Sequence, residues 1–542
     1  MRLMNPQIRD FAKLREEFRW PAPARYNIAF EVCCRHRQHA GRTALYYENE
    51  NGGEKKFTFG DIHQLSNRLA NALTALGVAH GDRVGIILPQ RPEAALAHLA
   101  AYKKNAVALP LSVLFGPDAL RYRLQDSGAK LVFTDSAHVE MVHSLAGELP
   151  QLKTVVDCDR EFDSLLQKSS ARFTPPPTPP DTPALLIYTS GTTGPPKGAL
   201  IAHRCLLGNL PGFELSHNFF PHDGDLFWTP ADWAWTGGLL DALLPAWNYG
   251  VPVLGYEGGK FDPERACRLL KKYRVRNAFI PPTALKMMRQ VAGNLRAGHG
   301  VELRSVMSAG ETLGAGLFHW GRESLGVDIN EMWAQTEFNY IVGNCAAIMP
   351  VRPGSIGKPY PGHRVAPLSA GGEVLPAGEA GELCAHRDDP VLFLQYWNRE
   401  QATREKFLGA GDAWFGTGDM GYCDEDGYLW FVGRKDDVIS SAGYRIGPGE
   451  IEDTLLKHPA VAHAAVIGVP DELRGSVVKA FIVPAAGHAP SEELKEDIRR
   501  SVRQRLAAYE YPREIEFLSE LPMTTTGKVR RAELRRRENR PD

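Results

Sequence analysis

Between residues 57 and 134 the chain alternates helical and strand patterns with short connections, and no other feature constrains its fold as tightly. Phe59, Ile62, Leu65, Leu69, Leu73 and Leu76 recur at three- and four-residue steps, which gathers them on one face of a helix. Asp61 stands close to its start and Gly77 just past its end, where helix capping favours an acid and a glycine. Residues 83–88 then read as a strand and 92–104 as a second helix. Residues 106–111 and 130–134 are further strands with a helical segment between them. Such alternation predicts an α/β fold, a layered domain with a mainly parallel sheet. At 542 residues the chain exceeds what one core serves, so two or more domains are expected.

The proline-rich segment 174–183 reads as a stiff surface connection, with an interdomain linker as the alternative. It feeds the apolar run 184–187, a short buried strand, which opens into Tyr188-Thr-Ser-Gly-Thr-Thr-Gly-Pro-Pro-Lys-Gly198. The glycines let the backbone turn tightly and point its N–H groups into one concavity. Hydroxyls at Thr189, Ser190, Thr192 and Thr193 and the cation of Lys197 line it, with Gly191 at the turn. Such a nest suits a polyphosphate. No G-x-x-x-x-G-K-[ST] string can be written over it, so it is not a Walker A loop. Three or four of these residues alone would fit an ordinary surface loop; the whole string fits one poorly.

Beyond the loop, residues 229–238 place two tryptophans beside small residues. Residues 276–280 and 304–308 read as strands ending at turns, the second running into Ala309-Gly-Glu-Thr312, and 327–337 as a strand with a polar end. Ligands of open α/β sheets sit where strands end, so these clusters are expected to converge with the glycine loop. Residues 365–383 suggest a small β-rich region. After a break at 431–438, a helix around 449–458, strands at 462–467 and 478–483 and a helix at 491–506 make a compact α+β unit. The basic stretch 530–540 carries Glu533 and Glu538 and reads as a solvated helix face.

The net charge of −1 gives no electrostatic case for nucleic acid or an anionic membrane. Eight scattered cysteines without a C-x-x-C indicate neither a zinc site nor a disulfide framework. No apolar run is long enough to span a bilayer, which argues against integral membrane association, and the acid-containing N-terminus fits neither a secretory nor an organellar signal. A cytoplasmic enzyme is the expectation.

Five motifs in order then carry a resemblance. They are the glycine loop, Trp333-Ala-Gln-Thr-Glu337, Thr417-Gly-Asp-Met-Gly-Tyr422, Gly433-Arg-Lys-Asp-Asp437 and Pro522-Met-Thr-Thr-Thr-Gly-Lys528. From about Thr58 to Leu534 the chain resembles the adenylate-forming enzymes: acyl-CoA synthetases, luciferases and peptide-synthetase adenylation domains. Among them it is most similar to medium-chain and acetyl-CoA synthetase-like proteins. The resemblance implies a large N-terminal domain (1–433) of layered α/β sheets with a small β-rich subdomain, and a small mobile C-terminal domain (434–542). It also implies ATP, Mg²⁺ and coenzyme A. A carboxylate attacks the α-phosphate of ATP, and a thiolate then displaces AMP, so catalysis is mostly positioning and charge neutralisation.

The implied roles follow residue by residue. The loop cradles the β- and γ-phosphates, Thr336 touches them, and Glu337 is the metal ligand. Gly310, Glu311 and Thr312, with the backbone around Met332 and Trp333, form the adenine slot. Asp419 accepts the ribose hydroxyls, assisted by Arg434. Lys528 is the catalytic lysine of the first step, and a lysine acetyltransferase or deacetylase acting on it is an implied partner. Asp436 is the hinge. Rotation there exchanges Lys528 for the segment Ser441-Ala-Gly-Tyr-Arg445, in which Ala442, Gly443 and Tyr444 pass the pantetheine arm and Arg445 contacts phosphate or CoA. Arg474 meets the CoA phosphates. Read singly, Asp419 is equally a turn cap, Glu337 a surface acid and Lys528 a solvated lysine.

The acyl pocket is expected between Trp235, Thr236, Gly237, Gly238 and Ala334. Acetate-specific relatives carry tryptophan where Ala334 stands, so alanine leaves room for a short-branched or medium-chain fatty acid or a compact aromatic acid. Trp233 and Trp235 could instead narrow the mouth. Acetyl, propionyl or aryl-CoA ligation are alternatives within the family. Asp232 hints at amino-acid selection, but its spacing to Trp235 matches acyl-CoA synthetases better. A luciferase-like oxidation would be an unusual use of these motifs. A non-catalytic nucleotide-binding regulator is the reading from another class, opposed by the intact Glu337 and Lys528. Oligomeric state is open.

Overall fold

The computed structural model describes residues 2–189, 195–291, 293–441, 444–471, 475–506, 511–524 and 528–538. Two compact units emerge, Met1–Arg364 with His386–Phe407, and Val365–Ala385 with Leu408–Asp542. The expected boundary at 433/434 falls inside the second, at the end of the strand Leu429–Arg434.

The first unit holds a seven-stranded sheet in the order Gln395–Tyr396, Lys197–Ala202, Pro183–Thr189, Val107–Pro110, Arg83–Ile87, Leu131–Thr134, Thr154–Asp157. Pairing is parallel from Pro183–Thr189 outward to Thr154–Asp157 and antiparallel on the other side. The parallel strands are buried almost throughout, the continuous apolar pattern of a sheet covered on both faces. The first predicted helix is Phe59–Ala75. Thr58 accepts from the Asp61 backbone N–H while the Asp61 carboxylate accepts from that of Thr58, a capping box, and Gly77 follows at φ 79°. Segment 174–183 lies within this unit, with Thr178 buried and bonded to Asn105 at 2.8 Å and to the Tyr26 amide at 2.9 Å. It is a surface connection; the linker alternative falls.

A second sheet of the same unit runs parallel through Thr43–Asn49, Val253–Glu257, Phe227–Trp228, Asn277–Phe279, Ser305–Ser308 and Ile329–Gln335. Beyond Ile329–Gln335 it adds Phe338–Gly343 and Ser355–Pro359 antiparallel. Its core gathers Leu254, Ala278, Val306 and Ile329 with helix residues such as Leu270, Leu285 and Phe318.

The second unit contains antiparallel strands Val365–Leu368 with Gly381–His386 and Trp414–Cys423 with Leu429–Arg434, and a hairpin of Ile439–Ser441 with Tyr444–Ile446. The α+β part pairs Val461–Asp471 antiparallel to Gly475–Pro484, which pairs parallel to Glu514–Phe517. Alternation along these strands makes two cores. Val466, Val478 and Ile482 pack with Ile451, Leu455, Ile498 and Val502 of the helices Pro448–Leu455 and Glu492–Arg503. Ala465, Ile467 and Phe481 pack with Leu521 and Leu534 on the other face. The basic tail forms the helix Arg531–Glu538, and charges along it are paired within the unit: Arg531 bonds both Glu452 oxygens at 2.7 Å and Arg537 meets Glu516 at 2.9 Å, while Arg536 is exposed. All eight cysteines are free thiols. Among the described residues no helix is long and apolar enough to cross a membrane.

Candidate active site

The glycine loop spans a hairpin. Pro183–Thr189 and Lys197–Ala202 pair antiparallel with Thr189 opposite Lys197. Thr189 donates to the Lys197 carbonyl at 3.4 Å. Ser190, Gly191, Thr192 and Thr193 lie outside the described residues, as do Ala442, Gly443 and Arg474 in the second unit.

Thr336 and Glu337 form a second hairpin tip, the two-residue turn between Gln335 and its partner Phe338. The segment after Asp389 ties the two hairpins together. The Phe393 amide donates to the Glu337 carbonyl at 2.7 Å, Leu394 to Leu200 at 2.7 Å and Trp397 to Gly198 at 2.7 Å. Between them Tyr396 donates its hydroxyl to Glu337 Oε1 and presents its ring to Lys197, whose Nζ lies 5.4 Å from the centroid. The buried carboxylate, the phenol and the loop's cation are therefore one connected group. Tyr396 was absent from the sequence reading, because a two-residue strand carries no periodicity to read.

The residues expected to line the adenine and acyl pockets come off neighbouring parallel strands at their C-terminal ends, the position where open sheets bind ligands. Ser305–Ser308 leads into Gly310, at φ 96°, then Glu311 and Thr312. Glu311 is held by the Thr283 hydroxyl at 2.7 Å, and the next amide but one, Leu313, donates to buried Glu331 at 3.0 Å. Ile329–Gln335 delivers Met332 and Trp333, both buried, and half-buried Ala334. Pairing slips between Trp333 and Gln335, opposite a strand in which Tyr340 has φ 53°, so Ala334 stands at an irregularity that re-aims side chains.

Residues 229–238 follow Phe227–Trp228. Gln90 pins this turn, donating to the Thr229 carbonyl at 3.1 Å and accepting from the Tyr256 amide at 3.2 Å. Two of its glycines are sterically required. A Cβ on Gly238 would stand 2.3 Å from the Asp232 carbonyl, and one on Gly237 2.6 Å from the Phe279 ring. The Trp235 ring meets Phe115 edge-on at 5.7 Å, and Thr236 is half-buried beside it. Burial pushes the Asp232 carboxyl up to about 6, against the pull of the Ala234 amide and the Ser112 hydroxyl. Its Oδ1 accepts from Ala234 at 3.0 Å, so it braces the turn.

In the second unit Asp419 and Arg434 are cross-strand partners, with a guanidinium N–H donating to Asp419 Oδ1 at 2.6 Å. Burial opposes the Arg434 charge, yet Asp419 holds it above the usual arginine range. Glu382, unremarked in the sequence, accepts from the Gly418 amide at 2.8 Å and from Lys435 at 3.0 Å, so it clamps the turn before Asp419. Asp436 is exposed in the turn after Arg434, while its neighbour Asp437 is ion-paired with Arg535 and, at 3.5 Å, Arg531. Tyr444 and Arg445 lie on the second strand of the hairpin Ile439–Ser441/Tyr444–Ile446. Lys528 is exposed, its amide donating to Thr524 Oγ1 at 3.0 Å and its carbonyl accepting from the Thr524 amide at 2.7 Å.

Residues 33–397 match the model of the AMP-binding enzyme family, and 450–528 that of the AMP-binding enzyme C-terminal domain. The acetyl-coenzyme A synthetase of Bacillus subtilis (strain 168) is 34% identical over 541 residues, 97% of this chain and 93% of that one. The mitochondrial acyl-coenzyme A synthetase ACSM3 of Mus musculus is 34% identical over 559 residues, 99% of this chain and 95% of its own. Among solved structures, the anthranilate CoA ligase AuaEII in complex with anthranoyl-AMP superposes with a TM-score of 0.86 at 29% identity, covering 95% of this chain and 98% of that one. With both family models matched in order across its length, the chain belongs to the AMP-binding enzyme family and is an AMP-forming acid–CoA ligase, dependent on ATP with CoA as co-substrate.

Proposed function

We propose that the acid is larger than acetate, a short-branched or medium-chain fatty acid. The observation that carries this reading is half-buried Ala334 at the slipped pairing beside Trp333, where a small side chain leaves space. Each methylene received there is worth about 0.8 kcal/mol of burial. The edge-on Trp235–Phe115 pair supports a compact aromatic acid as a second reading, since flat rings pack well on such walls.

In this reading Thr189, Lys197 and the loop between them grip the β- and γ-phosphates, and Thr336 touches them. Gly310 to Thr312 and the backbone of Met332 and Trp333 take the adenine. Glu337 offers the hard oxygen that suits Mg²⁺, and the Tyr396 hydroxyl donates to its Oε1. The ion, when bound, supplies charge neutralisation on the phosphates. Asp419 accepts the ribose hydroxyls with Arg434 fixing its carboxylate, and Lys528 neutralises the carboxylate and α-phosphate as they meet. Asp436 serves as hinge between the half-reactions, and the segment 441–445 with Arg474 receives CoA.

The test is pyrophosphate release across straight, branched and aromatic acids from acetate to dodecanoate, with and without CoA. Acid-dependent release with a maximum beyond propionate is expected; release with acetate alone, or with none, overturns the reading. Ala334→Trp should shift the kcat/KM ratio toward acetate or propionate by about 10–200-fold. An unchanged ratio would mean that the pocket is bounded by other residues.

A further inference from the structure

The junction between the helix Ile28–Val32 and the 3-10 turn Cys34–His39 carries two adjacent cysteines that acyl activation does not use. At Cys33 the backbone is neither helical nor extended, with φ −139° and ψ −60°. The side chains of 33 and 34 consequently do not diverge as they would along a strand. Both sulfurs and a ring nitrogen of His63, from the helix Phe59–Ala75, lie within 4.8 Å of one another. Cys33 Sγ is 3.9 Å from His63 Nδ1. The sulfurs are buried and the imidazole is half-buried, so the cluster opens to solvent on the His63 side.

A buried cation stands behind the cluster. Lys103 is fully buried, and its Nζ donates to the His63 carbonyl at 3.3 Å, Ser66 Oγ at 2.7 Å and Asn67 Oδ1 at 2.7 Å. Those acceptors use the three donors of an ammonium, and all are neutral. Asn67 in turn places Nδ2 3.3 Å from His63 Nε2 and donates to the Ala171 carbonyl at 2.9 Å. A buried ammonium with neutral partners favours negative charge nearby, and the sulfurs are the adjacent groups able to supply it.

We propose that Cys33, Cys34 and His63 form a binding site for a soft monovalent metal ion of the Cu(I) class. Two thiolates and an imidazole are the donors that such an ion prefers. Charge selects the valence: two thiolates balance one monovalent ion plus the Lys103 ammonium, whereas a divalent ion leaves a buried positive charge. Among the described residues the cluster offers three donors, one short of the four of a structural Zn²⁺ site.

The full-length protein, reduced and handled without oxygen, is titrated with Cu(I) held by a chromophoric chelator. One equivalent should leave the chelator, with a thiolate-to-metal band in the ultraviolet, and equimolar Zn²⁺ should not displace it. The double variant C33S/C34S should lose this uptake while keeping acid-dependent pyrophosphate release, and His63→Gln should weaken it by at least about 10-fold. X-ray absorption on the unsubstituted loaded protein reads the same site without any variant, with two sulfurs and one nitrogen expected around copper. No withdrawal from the chelator, uptake retained in C33S/C34S, displacement by Zn²⁺, or a shell without sulfur would each overturn the assignment.

Discussion

Lys528→Ala should lose acyl-adenylate formation by roughly 10²–10³-fold, the scale of removing one pre-positioned charge-stabilising group, while converting supplied acyl-adenylate and CoA to thioester at close to the parent rate. The first half-reaction brings a carboxylate against a polyphosphate, so a cation at the meeting point acts on its transition state. The second expels AMP from an uncharged acyl carbon and has no such need. Thr524 and Lys528 exchange bonds at 2.7 and 3.0 Å, and the Arg530 amide donates to the Pro522 carbonyl at 2.8 Å. Three residues on, Arg531 is bidentate to Glu452. Removing the side chain therefore leaves its backbone setting intact, and equal loss of both half-reactions would refute the assigned role. Lys528→Gln, which mimics an acetylated lysine, should reproduce the same split.

What the sequence made legible has a common physical basis: local periodicity and short-range capping. Phe59, Ile62, Leu69 and Leu73 face the core of the helix they predicted, and Ser491 caps Glu492–Arg503 as a helix start should. The run 184–187 is the strand expected before the glycine loop. Long-range order was not legible. Nothing in Phe227–Trp228 announces that it lies between Val253–Glu257 and Asn277–Phe279, because sheet order depends on pairing across tens of residues. The hairpin Ile439–Ser441/Tyr444–Ile446 was missed because three-residue strands are too short to alternate visibly.

The same distinction divides the candidate site. Residues in contiguous motifs, Thr336 with Glu337 and Gly433 with Arg434, could be singled out from their strings. Their supports could not. Tyr396 reaches Glu337 across 59 positions, Glu382 reaches Gly418 across 36, and Thr283 reaches Glu311 across 28. The cysteine pair shows the limit most clearly. Cys33-Cys34 is visible as a string, but His63 and Lys103 join it only through the packing of Phe59–Ala75 against Pro92–Lys103.

Tyr396 and Glu337 yield the second large effect, and their contact makes it a test of coupling rather than of two separate losses. Glu337→Gln keeps the shape of the hairpin tip and removes the charge of a buried carboxylate, so adenylation should fall by roughly 10²–10³-fold. Tyr396→Phe removes only a hydroxyl. A hydrogen bond to a charged group is worth about 1.5–3 kcal/mol, which corresponds to roughly a 10–150-fold loss. If the phenol acts by holding the carboxylate in place for Mg²⁺, its loss should appear first as a higher Mg²⁺ concentration for half-maximal pyrophosphate release. Adding it to Glu337→Gln should then cost little more, because residues that share one contact do not contribute independently. If the two losses instead add in full, Tyr396 works through Lys197 and the glycine loop. The double-mutant cycle, read as pyrophosphate release against Mg²⁺, separates these outcomes, since the Lys197 route leaves the Mg²⁺ requirement of Tyr396→Phe unchanged.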